Sequence, residues 1–162
     1  MIATGVAIPL IERLGRRTLI LWGIGGMGLS TTGLVVALQL KHAHPELTSA
    51  LGYTAIVFVM AGVAFFEIGL GAIPWSIGGE LFPQDSKAAA MGLGAAVNWT
   101  CATLVGLLFP LLQTSLPNGL AFLPFAVCLG TAFLFALRYV PETKGKSADT
   151  ILLEMNQGYA KA

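Results

Sequence analysis

Apolar residues in this chain gather into uncharged runs about as long as a bilayer is thick, rather than alternating with polar ones. A helix rises about 1.5 Å per residue, so crossing some 30 Å of hydrocarbon takes about 20 apolar residues. Leu19 to Leu40 carries no charge and meets that length. Tyr53 to Ile77 meets it with Glu67 as its only charge. Ala88 to Leu137 is also uncharged, but the turn-rich Gln113-Thr-Ser-Leu-Pro-Asn-Gly119 divides it. The pattern predicts transmembrane helices over 19–40, 53–77, 88–112 and 120–139, the second of them broken.

The beginning of the chain does not fit this spacing. Ile2 to Ile11 is apolar and stops at Glu12-Arg13, which as a helix reaches about 15 Å. It has neither the basic start nor the small-residue cleavage site of a secretory signal. Residues 1–11 therefore read as the end of a truncated transmembrane helix, and the sequence is expected to be a fragment. After Pro141 the chain leaves the apolar pattern. Residues 140–162 read as a tail in which Ser147 caps a short amphipathic helix from Ala148 to Gln157.

Charge sets the expected orientation. Numbering the faces by alternation, eight of the nine Lys and Arg residues fall on one side; only Lys41 falls on the other. Positive residues accumulate on the cytoplasmic side, so the 12–17 loop, the 80–87 loop and the tail are expected to be cytoplasmic.

Composition supports a membrane solvent and narrows the function. Charged residues make up 10% of the chain and hydrophobic residues 56%, with a mean hydropathy of +0.79. Soluble domains carry about 25% charged residues. The 9 basic and 8 acidic side chains nearly cancel, which leaves no basic footprint for nucleic acid. Cys101 and Cys128 lie in separate apolar runs and make neither a disulfide framework nor a metal spacing. No activated nucleophile, metal cluster or phosphate loop is legible, so neither an enzyme, a cofactor nor a metal is expected. Gly23-Ile-Gly-Gly-Met-Gly28 spells the dinucleotide-binding GxGxxG. That motif works only as a strand-to-helix turn, and within an uncharged span its glycines suit close helix approach instead.

Three features carry candidate chemistry. The first is Glu67, a carboxylate at membrane depth that costs roughly 2.5–3.5 kcal/mol on insertion scales. It is followed by Gly69-Leu-Gly71 and Pro74-Trp75. Pro74 frees the Leu70 carbonyl, and at helical spacing Glu67, Gly71, Pro74 and Gly78 share one face. The alternatives are a cavity wall beside a helix break and a simple proline kink with a satisfied carboxyl. The second is Asn98, either an interhelical amide or a ligand contact. The third is the set of charges at the cytoplasmic helix ends: Glu12, Arg13, Arg16, Arg17, Glu80, Lys87 and Glu142. They are either solvated surface charge, worth at most about 1 kcal/mol per pair, or a gate that forms and breaks.

Four blocks in order, Glu12-Arg-Leu-Gly-Arg-Arg17, Phe66-Glu-Ile-Gly-Leu-Gly-Ala-Ile-Pro-Trp75 with Glu80-Leu-Phe, Asn98-Trp99, and Pro141-Glu-Thr-Lys-Gly145, run over nearly the whole chain. In these the chain resembles the facilitative glucose transporters, sugar porters of the major facilitator superfamily. The matching region is the family's C-terminal part, from late in helix 8 to the cytoplasmic tail. The resemblance implies an all-α membrane protein, a partial C-terminal six-helix bundle. It implies that Phe66, Glu67, Trp75 and Asn98 lie at or beside a sugar site, with Gly71 at the flexible break. It also implies that Glu12, Arg16, Arg17, Glu80 and Glu142 belong to the cytoplasmic charge network.

The chain departs from the family in three places. Ala72 stands where proline is frequent. Lys87 stands where arginine is usual, keeping the charge but not the bidentate fork. Ala102 stands where a second amide is usual one turn after Asn98. The implied function is that of part of a hexose carrier working by alternating access at the plasma membrane, incomplete for transport alone. Its expected partners are the hexose, the lipid bilayer, and the N-terminal half or another carrier chain. The alternative is a non-transporting membrane protein that associates with a full-length carrier.

Overall fold

A computed structural model describes residues 15–71, 73–76, 82 and 84–140. The stretches 1–11 and 141–162, and with them Glu12, Arg13, Glu80 and Glu142, lie outside the described residues. Every regular element among the described residues is helical. Helix α1 spans Arg16–Ala43, α2 Thr48–Gly69, α3 Gln84–Ser115 and α4 Leu123–Tyr139. Short 3₁₀ turns at Pro45–Leu47 and Leu120–Phe122 lead into α2 and α4. Among the described residues, four helices are long and apolar enough to cross a membrane.

Helix α1 is the spine, packed lengthwise against α2 and against α4. What lets it approach α2 so closely is glycine. A Cβ added at Gly69 would lie 2.5 Å from the Gly23 Cα and 2.8 Å from the Leu19 carbonyl oxygen, so the two backbones themselves touch. One turn further along, the Phe65 ring occupies the space above Gly26, and the Phe58 ring does the same above Gly33. The other two glycines of the GxGxxG sequence turn to α4, Gly25 toward Phe133 and Gly28 toward Leu129. The motif is thus a two-sided packing surface, as its position within a span suggested. Helix association inside lipid depends on this kind of close van der Waals fit, because burial from water contributes nothing there.

Two apolar clusters result, one at each end of the spine. Leu19, Ile20, Ile24, Ile73 and Ala136 close the end where α1 begins and α4 finishes. Leu34, Ala37 and Ala55 close the other, with Leu38, Phe58 and Phe122 against them. At that second end the turn after α3 is drawn onto α1. Gly119 has φ +83°, and any side chain there would overlap Leu38. The Gln39 side-chain amide donates to the Asn118 carbonyl at 2.9 Å.

Helix α3 is different. None of its residues is buried, and its aromatic contacts are made by Phe109, which stacks against Phe122 and Phe125 at ring distances of 5.2 and 5.8 Å. It leans away from the α1–α2–α4 unit over the rest of its length, and that separation opens the space described next.

Candidate ligand site at a helix break

The break in the second span has a specific backbone cause. At the end of α2 the Phe66 carbonyl accepts the N–H of Leu70 and also that of Gly71, both at 2.8 Å. The second bond spans five residues instead of four, so the helix widens and the register slips. Pro74 supplies no N–H to the Leu70 carbonyl. Residues 73–76 are helical, anchored by Ile73, which is fully buried in the cluster at the start of α1.

The spacing of Glu67, Gly71, Pro74 and Gly78 puts them on one face only if the helix is continuous, and the described helix is interrupted after Gly69.

The residues after the slip face α3 across a cavity of about 530 Å³, within the about 300–1,000 Å³ range of small-molecule sites. From α2 and the break it is lined by Phe66, Leu70, Gly71, Pro74 and Trp75, and from α3 by Ala90, Met91, Gly94 and Asn98, with Phe82 at its edge. Four of the five residues proposed for the substrate therefore meet here: Phe66, Gly71, Trp75 and Asn98. The fifth, Glu67, is half-buried and is not among the residues lining this cavity. Trp75 and Phe66 are each 42% exposed, so both rings keep a free face. Phe66 also borders a second cavity of about 310 Å³ with Ser30, Thr31 and Phe58.

The cavity has the chemistry of a site for a ligand with apolar faces and polar edges. Its walls are mostly aromatic and aliphatic, its amide is Asn98, and Leu70, to whose carbonyl Pro74 cannot donate, is among its lining residues. The α3 contribution escaped the sequence reading apart from Asn98. Its signal was available: Ala90, Met91, Gly94 and Asn98 recur at intervals of one, four and eight residues, a single helical face.

The cytoplasmic-end charges are only partly in view. Arg16 and Arg17 open α1 and are half-buried; Lys87 lies in the first turn of α3, also half-buried. Arg17 Nη2 donates to the Leu137 carbonyl at 2.5 Å, a backbone contact with α4 that the sequence did not suggest.

Four apolar helices long enough to cross a membrane, with a break beside a cavity, define an all-α membrane protein. The family model for sugar (and other) transporters matches residues 1–153, and the chain belongs to that family. It is 43% identical over 150 residues to the rabbit (Oryctolagus cuniculus) solute carrier family 2, facilitated glucose transporter member 3, covering 93% of this chain and 29% of that protein. To member 4 from Mus musculus it is 43% identical over 148 residues, covering 91% of this chain and 28% of that protein. A crystal structure of a double-tryptophan mutant of XylE superposes with a TM-score of 0.81 at 26% identity, covering 94% of this chain and 32% of that one. The chain thus spans less than a third of the length of the relatives it matches.

Proposed function

We propose that this chain is the C-terminal portion of a hexose carrier, and that the cavity at the helix break forms one wall of its sugar site. The observation that carries the reading is the meeting of Trp75 and Phe66 with Asn98 across a break that Gly71 and Pro74 create. A pyranose ring presents an apolar face, suited to Trp75, and hydroxyls at its rim, suited to the Asn98 amide. Glu67 joins the site only if the end of α2 rotates, which the flexible break permits. Alternating access requires one bundle to rock against another around such a site. The cytoplasmic charges Glu12, Arg13, Arg16, Arg17, Glu80, Lys87 and Glu142 form the inner gate in this reading, and the plasma membrane is the proposed location.

The test is tracer glucose uptake by a chimera in which this chain replaces the matching segment of the rabbit relative. Saturable, stereospecific uptake that excess unlabelled glucose abolishes is the expected result. A folded, membrane-inserted chimera without uptake rejects the carrier reading. The 162-residue chain alone, reconstituted in liposomes, is expected to move no glucose above empty vesicles. Its α3 buries no residue, so a second wall must come from elsewhere. That same exposure favours, as the second reading, a chain that associates with an intact carrier without transporting.

Orientation is tested by cysteine labelling in intact cells. With Cys101 and Cys128 replaced, His44→Cys is expected to react with an impermeant reagent from outside, whereas Ser147→Cys reacts only after permeabilisation. The warrant is the eight-to-one division of Lys and Arg. External labelling at position 147 reverses the assignment.

A further inference from the structure

We infer that Arg17 is a helix cap supplied in trans, replacing the backbone donor that Pro141 withholds from the end of α4. In a helix, each carbonyl accepts from the N–H four residues on. The Ala136 carbonyl is satisfied in this way by Val140 at 3.2 Å. The next carbonyl, Leu137, has no helical donor, because α4 ends at Tyr139 with Val140 extended (ψ 114°), the conformation a following proline imposes, and Pro141 has no N–H. Arg17 Nη2 donates to that carbonyl at 2.5 Å, across 120 residues of sequence.

Three physical terms favour this arrangement. A backbone acceptor without a donor is costly wherever hydrocarbon displaces water, and Leu137 sits at the end of an apolar span. A charged donor makes a shorter and stronger bond than a neutral one. A cation at a helix C-terminus also meets the negative end of the helix dipole. Arginine suits the task because its fork can hold one bond while presenting its remaining N–H groups to other partners.

The consequence is positional. Arg17 pins the start of α1 to the finish of α4, at the same end where Leu19, Ile73 and Ala136 pack together. Arg17 is therefore a positioning residue that keeps α1 and α4 in register and holds the buried foot of the broken segment beneath them. This role is independent of the transport reading and stands beside the gate role proposed for Arg17, since the cap uses only one N–H of the guanidinium.

A double-mutant cycle on the purified full chain in detergent separates the two roles. Arg17→Ala is expected to lower the thermal unfolding midpoint by about 2–8 °C, the shift that loss of one such interaction produces. Pro141→Ala restores an N–H at residue 141 and lifts the restraint that proline places on Val140, so the helix can lengthen and supply Leu137 from its own backbone. In that background, Arg17→Ala is expected to cost less than half as much. Equal cost in both backgrounds is what an ion-pair role gives, and it overturns the inference. If Arg17→Ala alone yields no folded protein, recovery of folded chain on adding Pro141→Ala supports the cap. A double variant recovered no better than the single one overturns it.

Discussion

Gly69→Ala is expected to separate α1 from α2 and to lower stability sharply. The new Cβ would stand 2.5 Å from the Gly23 Cα, 2.8 Å from the Leu19 carbonyl oxygen and 3.0 Å from the Gly23 nitrogen. All three are backbone atoms, so no rotamer change relieves the overlap. Ordinary carbon contacts lie at about 3.5–4.0 Å, and the helices must part by about 1 Å. Overpacking of this kind costs about 1–3 kcal/mol, and more where nothing can yield. The reciprocal Gly23→Ala meets the Gly69 Cα at 2.6 Å and is expected to behave alike. Gly92→Ala is the control: nothing lies within 4 Å of its added carbon, and removing a glycine from a helix interior favours the helix by about 0.5–1 kcal/mol. Unfolding midpoints in detergent check all three. A Gly69→Ala chain as stable as Gly92→Ala shows that the close approach of the two helices is not real.

The same substitution reaches the cavity. Ile73 is buried against Leu19 and Ile20 and begins the short helical segment that carries Pro74 and Trp75. Moving α2 off α1 removes the seat of that segment, so sugar affinity in the chimera is expected to fall with stability.

Trp75→Ala is expected to act in the opposite proportion, with a large loss of transport and a small loss of folded protein. The indole lines the cavity yet remains 42% exposed, so little of the fold rests on it. Losing one apolar wall against a sugar ring is worth about 1–3 kcal/mol, on the scale of burying a large side chain. That corresponds to about 5-fold to 150-fold in affinity. The measurement is the concentration dependence of glucose uptake by the chimera, beside surface expression. Unchanged affinity in a normally expressed variant removes Trp75 from the site.

The contrast between these two positions shows which features were legible in the residues. That the chain forms several apolar helices followed from uncharged runs of the right length, because a bilayer forces backbone groups to pair within the segment. That Phe66-to-Trp75 interrupts a helix followed from Gly71 and Pro74, whose effects on the backbone are local. That the GxGxxG glycines serve packing followed from their place in a span, but which neighbour each one meets did not. Gly23 and Gly26 face α2 while Gly25 and Gly28 face α4, and only the positions of those partner helices distinguish the pairs.

The site divides in the same way. Residue type and family resemblance singled out Phe66, Glu67, Gly71, Trp75 and Asn98, and four of these line one cavity. Helical spacing placed Glu67 on the face of Pro74, whereas the cavity is lined by Pro74 and not by Glu67. A five-residue hydrogen bond to the Phe66 carbonyl depends on how the chain after the break is held, which is decided by burial of Ile73 against α1. The bond from Arg17 to Leu137 is another such case. Proline at 141 announced a carbonyl without a donor, but not which side chain would supply one. By itself, then, the sequence determined the solvent, the helices, the break and the family, because each depends on residue type over a short window. The tertiary structure decided which faces meet, where Glu67 stands relative to the cavity, and what completes the end of α4, because each depends on contacts between residues distant in the chain.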